Sequence, residues 1–472
     1  MLPRWIVAAA AALMGCASAP PVPLKPGEMP KAFAAPLPES GGRSISAGWW
    51  KDFGSAELTG LMAAAQSGNL DIEAAAARVA QARAQTGVAA SALFPTIGTD
   101  AGARRQGASL NAPGSGSSNS VGLAGAASYE LDFWGARRNA WSAARHSALA
   151  AQYARDVVAL TTEAGVANAY FTVLATRQRL TIACNNIAAA KDVLAVTQAK
   201  VANGVLSHLE LAQQSAQVLG QEAQIPALKE QEREASYALA VLLGRLPEKL
   251  EIKAASLDGI TAPAVEPGTP LGLLRRRPDV AQAEAELLAA HAGLDAARAA
   301  LLPSLGLSAG GGWSAAGLAS LASPSNLAWN LAASLAQTVF DGGQLSSQRD
   351  AAQGRQSELV AAYRKAVLSA LADAETGLGS ATATAGQERL MAEEAANAAE
   401  AFRISELQYR EGVVDLLTVL QAQQTLFASQ DALVQVKLAR LQASIGLFRA
   451  LGGGWAANKT EPTRNRFMPL PF

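Results

Sequence analysis

The stretch "LFPTIGTDAG" starts at Leu93 and "LLPSLGLSAG" at Leu301, so one ten-residue pattern occurs twice, with Leu, Pro, Gly, Ala and Gly in matching places. Pro95 and Pro303 are 208 apart, and the same offset relates Gly204 to Gly412 and Gly244 to Gly452. Phe133 and Gly135 of "LDFWGARR" match Phe340 and Gly342 of "TVFDGGQL" at 207. Two halves that stay in register with almost no insertion are read as a duplicated structural unit. The period is too long for a solenoid repeat, so each copy must be a large half of one architecture.

Each half carries two kinds of segment. From Ala136 to Asn203 there is no proline and one glycine, Gly165, and Gln344 to Glu411 is again free of proline. Both read as single helices of about 100 Å at 1.5 Å per residue, far beyond the ~11 residues of an average helix. Helices that long bury a face only against parallel neighbours, as in coiled coils or tubular bundles.

Ahead of each long helix the period changes to two. In "LAWNLAASLAQTVF" Leu327, Trp329, Leu331, Ala333, Leu335 and Val339 alternate with small or polar residues, which predicts a strand with one apolar face. "PSLGLSAGGGW" is its expected hairpin partner. In the first half "PTIGTDAGARRQGA" and "NSVGLAGAASYELDF" flank the loop-like "SLNAPGSGSS" in the same arrangement. Trp313 and Trp329 near the loop end, with Phe133, Trp134 and Phe340 at the helix end, fit the aromatic girdles of a membrane barrel. A soluble sandwich is the alternative for the same strands. Four strands cannot close a membrane barrel, for which about eight are needed, so several copies of the chain must contribute.

With 50% hydrophobic and 17% charged residues in 472, the chain has ample material for packed helices, and 39 basic against 39 acidic residues leave no net field for nucleic acid. Residues 1–15 read as a signal peptide, and Leu13-Met14-Gly15-Cys16 resembles the bacterial lipobox, in which the cysteine becomes the acylated N-terminus. Ala17, rather than aspartate, follows it and favours the outer membrane. Residues 16–56 are expected to form a Pro-rich tether ending in "GWWKDFGSAEL", whose aromatics can dock on a body. Residues 57–250 and 271–452 are then the two repeats, 251–270 a linker and 453–472 a tail. Cys184, the remaining cysteine, excludes a disulfide framework.

Helix, hairpin and long helix, twice over and behind a lipobox, resemble the TolC-type outer-membrane efflux factors, specifically their lipoprotein NodT branch serving resistance-nodulation-division pumps. "YELDFWGARR", "YALAVLLGRLP", "LLRRRPDVAQAEAELLAAHAGLDAARAALLPSLGL" and "YREGVVDLLTVLQAQQTLFASQDALVQVKLARLQASIGLFRALGGGW" carry the resemblance. It implies a mainly α chain with membrane β structure. Three copies would form a 12-stranded β-barrel in the outer-membrane lipid, continued by a periplasmic α-helical barrel. The implied partners are a periplasmic adaptor and an inner-membrane transporter. No cofactor is implied beyond the lipid on Cys16.

The resemblance also places function at the two helix turns. Gly204, Val205 and Leu206, with Gly412, Val413 and Val414, fall in the adaptor-contacting tip. Leu417 falls at the constricting leucine of the periplasmic aperture, with Leu209 its equivalent. The acids expected there fall at Thr418 and Gln421, and their arginine at Gln424, all uncharged. Carboxylates could come instead from Asp415 or Glu210, although a solvated helix surface is the expected setting for both.

The "RRRPD" run from Arg275 suits a helix start, with Pro278 and Asp279 in the first turn and arginines in surface or inter-subunit pairs. His146, His208 and His291 lack ligand spacing, and no phosphate loop or nucleophile elbow is present, so an enzyme is not expected. A protein-secretion duct of the same fold and a pore-less periplasmic tether are the competing readings.

Overall fold

The computed structural model describes residues 30–36, 45–107 and 117–456. The expected signal peptide, Cys16 and most of the proline-rich segment, together with residues 108–116 and 457–472, lie outside the described residues. A short 3-10 turn, Trp49–Phe53, leads into α1 (Ala56–Gly68) and α2 (Leu70–Ser91), the hairpin β1 (Thr96–Gly107) and β2 (Ser117–Leu131), and the long α3 (Ala136–Ala202). Two helices, α4 (His208–Glu222) and α5 (Gln224–Leu242), close the first half. The second half runs α6 (Pro270–Leu274), α7 (Pro278–Ala299), β3 (Ser304–Ala315), β4 (Leu327–Ala336), the long α8 (Gln344–Arg410) and α9 (Leu416–Ala450).

The element bounds repeat at the offset seen in the sequence. The starts of α2 and α7, β1 and β3, α3 and α8, and α4 and α9 are separated by 278 − 70, 304 − 96, 344 − 136 and 416 − 208, each equal to 208. Both long helices have 67 residues. One departure is local: the first half breaks its last helix at Ala223, where the second runs on unbroken. Pro226 stands just after that break, where it lacks the N–H that would bond one turn back.

The four strands form one antiparallel sheet in the order β1-β2-β3-β4, so the hairpins of the two halves lie side by side. It belongs to a unit made of 78–152 and 282–364. On its apolar face Ile97, Trp329, Leu331 and Leu335 are all more than 70% exposed, with no described element of the chain over them. The strand β4 ends at Ala336, so Val339 falls beyond the alternation expected for it. There the Gln337 amide turns to donate to the carbonyl of Leu301, 3.1 Å away. Asp132 and Asp341 convert strand into helix: the first accepts the N–H groups of Arg137 and Arg138, the second those of Gly343, Gln344 and Leu345.

The second unit holds the described parts of 25–77 and 365–472, with 153–281 between them in sequence. Its larger core is aromatic: Trp49 stacks on Phe448 with ring centroids 5.1 Å apart, and Phe53 lies 5.2 Å from Phe171. The Trp49 and Phe53 side chains are fully buried, so this part of the N-terminal arm belongs to the core. Upstream, the Glu375 carboxylate accepts the backbone N–H groups of Ala34 and Ala35, each at 2.8 Å. The connection between halves is also held, by Arg177 on the carbonyls of Ile252 and Ala254 and by Glu57 on the N–H groups of Lys253 and Ala254.

Candidate functional site

Each long helix ends in the same motif. Gly204 has φ +72° and donates to the carbonyl of Val201, while Val205 donates to that of Lys200 at 2.9 Å. Gly412 has φ +78° and donates to Tyr409, while Val413 donates to Gln408 at 2.8 Å. This is a Schellman closure, and the left-handed position favours glycine. Two residues on, the chain re-enters a helix at Ser207 in one half and Asp415 in the other.

The caps differ in chemistry. Ser207 caps α4 through its hydroxyl, and Glu210 reaches back to the Ser207 N–H at 2.7 Å, a capping box. Asp415 caps α9 directly, accepting the N–H of Thr418 at 2.9 Å and its hydroxyl at 2.7 Å. Bonds from the Ser207 hydroxyl and N–H hold the Glu210 carboxyl below its ordinary range, and those from Thr418 do the same for Asp415. Each turn therefore carries one ionised carboxylate committed to a helix N-terminus, where the helix dipole also favours it.

The turns meet through their side chains. Leu206 and Val414 pack on a buried cluster containing Val193, Phe402, Tyr409 and Leu416. Lys200 donates to the carbonyl of Tyr409 and sits 4.2 Å from the centre of its ring, whose hydroxyl lies 3.0 Å from that of Thr197. Val205, Leu209, Val413 and Leu417 point away from the cluster and are all more than half exposed. Thr418, Gln421 and Gln424 are exposed as well. Gln424 also borders a polar cavity of about 300 Å³ lined by Gln217, Gln221 and the Arg179–Asp431 pair, whose closest approach is 2.6 Å.

A second repeated constellation joins helix ends elsewhere in this unit. A side chain on Gly244 would place its Cβ 2.0 Å from the carbonyl oxygen of Gly68, and one on Gly452 would stand 2.0 Å from that of Arg276. Beside the first contact, the Asn69 amide donates to the carbonyl of Leu242 at 2.8 Å. Beside the second, the Arg277 guanidinium donates to that of Ala450 at 3.0 Å and pairs with Asp279 at 2.6 Å and Asp373 at 2.9 Å. Burial works against ionising Asp279, but the adjacent Arg277 and the N–H of Val280 hold its carboxyl below the ordinary range.

The profile of the family described as outer membrane efflux protein matches residues 61–245 and 272–453, one match for each structural half. The chain belongs to that family. It is 41% identical over 474 residues to the pyoverdine export outer membrane protein OpmQ of Pseudomonas aeruginosa, spanning 95% of this chain and 96% of that one. Its fold superimposes on the outer-membrane channel OprN with a TM-score of 0.83 at 26% identity, covering 91% of this chain and 98% of that one. The open-state MtrE channel of Neisseria gonorrhoeae gives 0.83 at 28%, covering 91% and 96%. This family member is thus an outer-membrane channel that reaches into the periplasm and serves an efflux pump, and its work is conduction rather than catalysis. Among the described residues no cluster of three or more His, Cys, Asp or Glu side chains is placed to hold a metal ion.

The geometry revises one expectation and orients two residues of the expected tip. Leu206 and Val414, within those turns, face inward because the residue after each Schellman valine returns to the helix pair. Arg277 is not in a surface or inter-subunit pair: it is 8% exposed and closes the joint within one chain. The joint itself escaped the sequence reading. Its signal was present, since 277 − 69 and 450 − 242 both equal 208, but Asn and Arg do not look alike.

Proposed function

We propose that three copies of this chain form a passive exit duct for small molecules, a 12-stranded barrel continued by a helical tube, gated at the paired turns. The observation that carries this reading is the four-stranded sheet, whose edges β1 and β4 are unpaired and whose apolar face is uncovered among the described residues. Open edges and a greasy face are satisfied together when sheets close edge to edge in lipid. Cys16 supplies the lipid anchor, and the turn segments around Gly204, Val205 and Leu206 and around Gly412, Val413 and Val414 dock on a periplasmic adaptor beneath an inner-membrane transporter.

Leu209 and Leu417 narrow the aperture. Thr418, Gln421 and Gln424 bring no charge to it, and Glu210 and Asp415 are held as helix caps, so closure is chiefly apolar and cation preference weak. The cargo belongs with the small secreted compounds, and export of a pyoverdine-type molecule is the specific case taken from OpmQ. Single-channel recording in planar bilayers tests the gate: Leu417→Ser is expected to raise conductance several-fold, and conductance equal to wild type overturns it.

A further inference from the structure

The sheet contains few charges, and the strand register sorts them. Between Pro303 and Phe340 there is no charged residue, and between Pro95 and Leu131 there are four: Asp100, Arg104, Arg105 and Glu130. Successive side chains alternate between faces. Ile97, Leu307, Trp313, Trp329, Leu331 and Leu335 share the odd-numbered face, the apolar one, and Arg105 lies on it at the loop end. Asp100, Arg104 and Glu130 share the even-numbered face.

That face is nearly bare. Across the register Asp100 is followed by Ala124, Gly312 and Ala328, and Gly102 by Gly122 and Ser314. A Cβ on Gly102 would lie 4.0 Å from the Asp100 carboxylate and meet nothing nearer, so these two positions open onto the same space. Glu130 is paired with Arg137 at the helix end of the sheet. Neither Asp100 nor Arg104 has an ion-pair partner among the described residues, leaving one bare carboxylate and one bare guanidinium on β1, about 14 Å apart at ~3.4 Å per residue.

We propose that, in the trimer, Asp100 and Arg104 form two stacked charge rings of opposite sign that set the electrostatics of the outer mouth. This rests on the duct reading above. The basic ring is outermost, since Arg104 is nearer the hairpin loops, and the acidic ring lies inward of it. Twelve strands spaced ~4.8 Å and tilted ~40° give a radius of about 12 Å, close to the Debye length of ~10 Å at 0.1 M salt, so each ring acts across much of the lumen. An ion of either sign meets attraction at one ring and repulsion at the other. The exit therefore passes anionic and cationic cargo alike, and the balance is lost when either ring is removed.

The test places a cysteine between the rings, Gly102→Cys in a Cys184→Ser background of the full chain. Its reaction rates with membrane-impermeant sulfonate-bearing and trimethylammonium-bearing thiosulfonates, added outside the cell, report the local potential. Asp100→Asn is expected to raise the anion-to-cation rate ratio about threefold at 0.1 M salt, and Arg104→Gln to lower it by a similar factor. Both shifts should shrink toward nothing at 1 M salt, where the screening length is ~3 Å. Arg105→Gln, on the lipid face, should leave the ratio unchanged. A general disturbance of folding cannot move the two variants in opposite directions. A reactive cysteine whose ratio ignores both variants overturns the charge rings and leaves the duct standing. A cysteine at 102 that neither reagent reaches overturns the water-filled lumen, and the rings with it.

Discussion

Asn69 in one half of the molecule and Arg277 in the other do the same work with different chemistry. Each donates to the carbonyl at a helix end, of Leu242 or Ala450, beside a left-handed glycine pressed against a carbonyl oxygen. The arginine brings a charge and a larger body. Where the first half has Gly165 and Leu242, the second has Asp373 and Ala450, which supply a counter-charge and room. The turns diverge in the same manner, since Ser207 and Glu210 cap one helix and Asp415 and Thr418 the other. In both comparisons the backbone demand is held constant while the side chains that meet it have drifted in concert.

The largest expected effects test the part that is shared. Gly244→Ala and Gly452→Ala combine a positive φ with backbone overlap and should each cost about 3–5 kcal/mol, read as a lower denaturation midpoint of the extracted protein. Gly204→Ala and Gly412→Ala meet no obstacle within 4 Å and should lose only the left-handed penalty, about 1–2 kcal/mol. Equal losses at all four sites would mean that the joint contact is not what constrains Gly244 and Gly452.

Next in size is the donor that differs. Arg277→Ala strands Asp279, Asp373 and the Ala450 carbonyl and should cost about 2–4 kcal/mol, against about 1–2 for Asn69→Ala. Importing the first-half solution as Arg277→Asn with Asp373→Gly and Ala450→Leu should recover most of the loss of Arg277→Asn alone. A triple variant no better than the single one would show that the residues have not drifted together.

The acid limb sharpens the contrast further. Because the folded state holds the Asp279 carboxyl below its ordinary value of 3.8, its contribution is complete above that pH and drains away as pH falls through the lower folded value. Unfolding midpoints measured from pH 6 to pH 3 should fall less steeply in Asp279→Asn than in wild type. The smallest effects belong to the caps: Asp415→Ser should change protection of the first amides of α9 by a few tenths of a kcal/mol, and Asp415→Ala by about 1, by hydrogen exchange.

The offset visible in Pro95 and Pro303 extends to the starts of four pairs of elements, because glycine and proline mark backbone demands that side-chain drift does not erase. The long helices and the strand faces were legible for the same reason, since their periods are backbone periods. The joint was not, because a hydrogen-bond donor can be supplied by an amide or a guanidinium. Nor was the direction of Leu206 and Val414, which depends on a partner turn roughly two hundred residues away, at the offset of 208 between Gly204 and Gly412. The break before Pro226 could have been read from the proline itself, although in a helix of this length a proline also permits a kink.

The measurement that bears most directly on the account is negative-stain imaging of the detergent-extracted protein in end-on view. Three-fold rings around a stain-filled centre are the predicted result, with three sheets closing one barrel. Compact single-chain particles, or rods without a lumen, would contradict it and leave the apolar face of the sheet without its lipid.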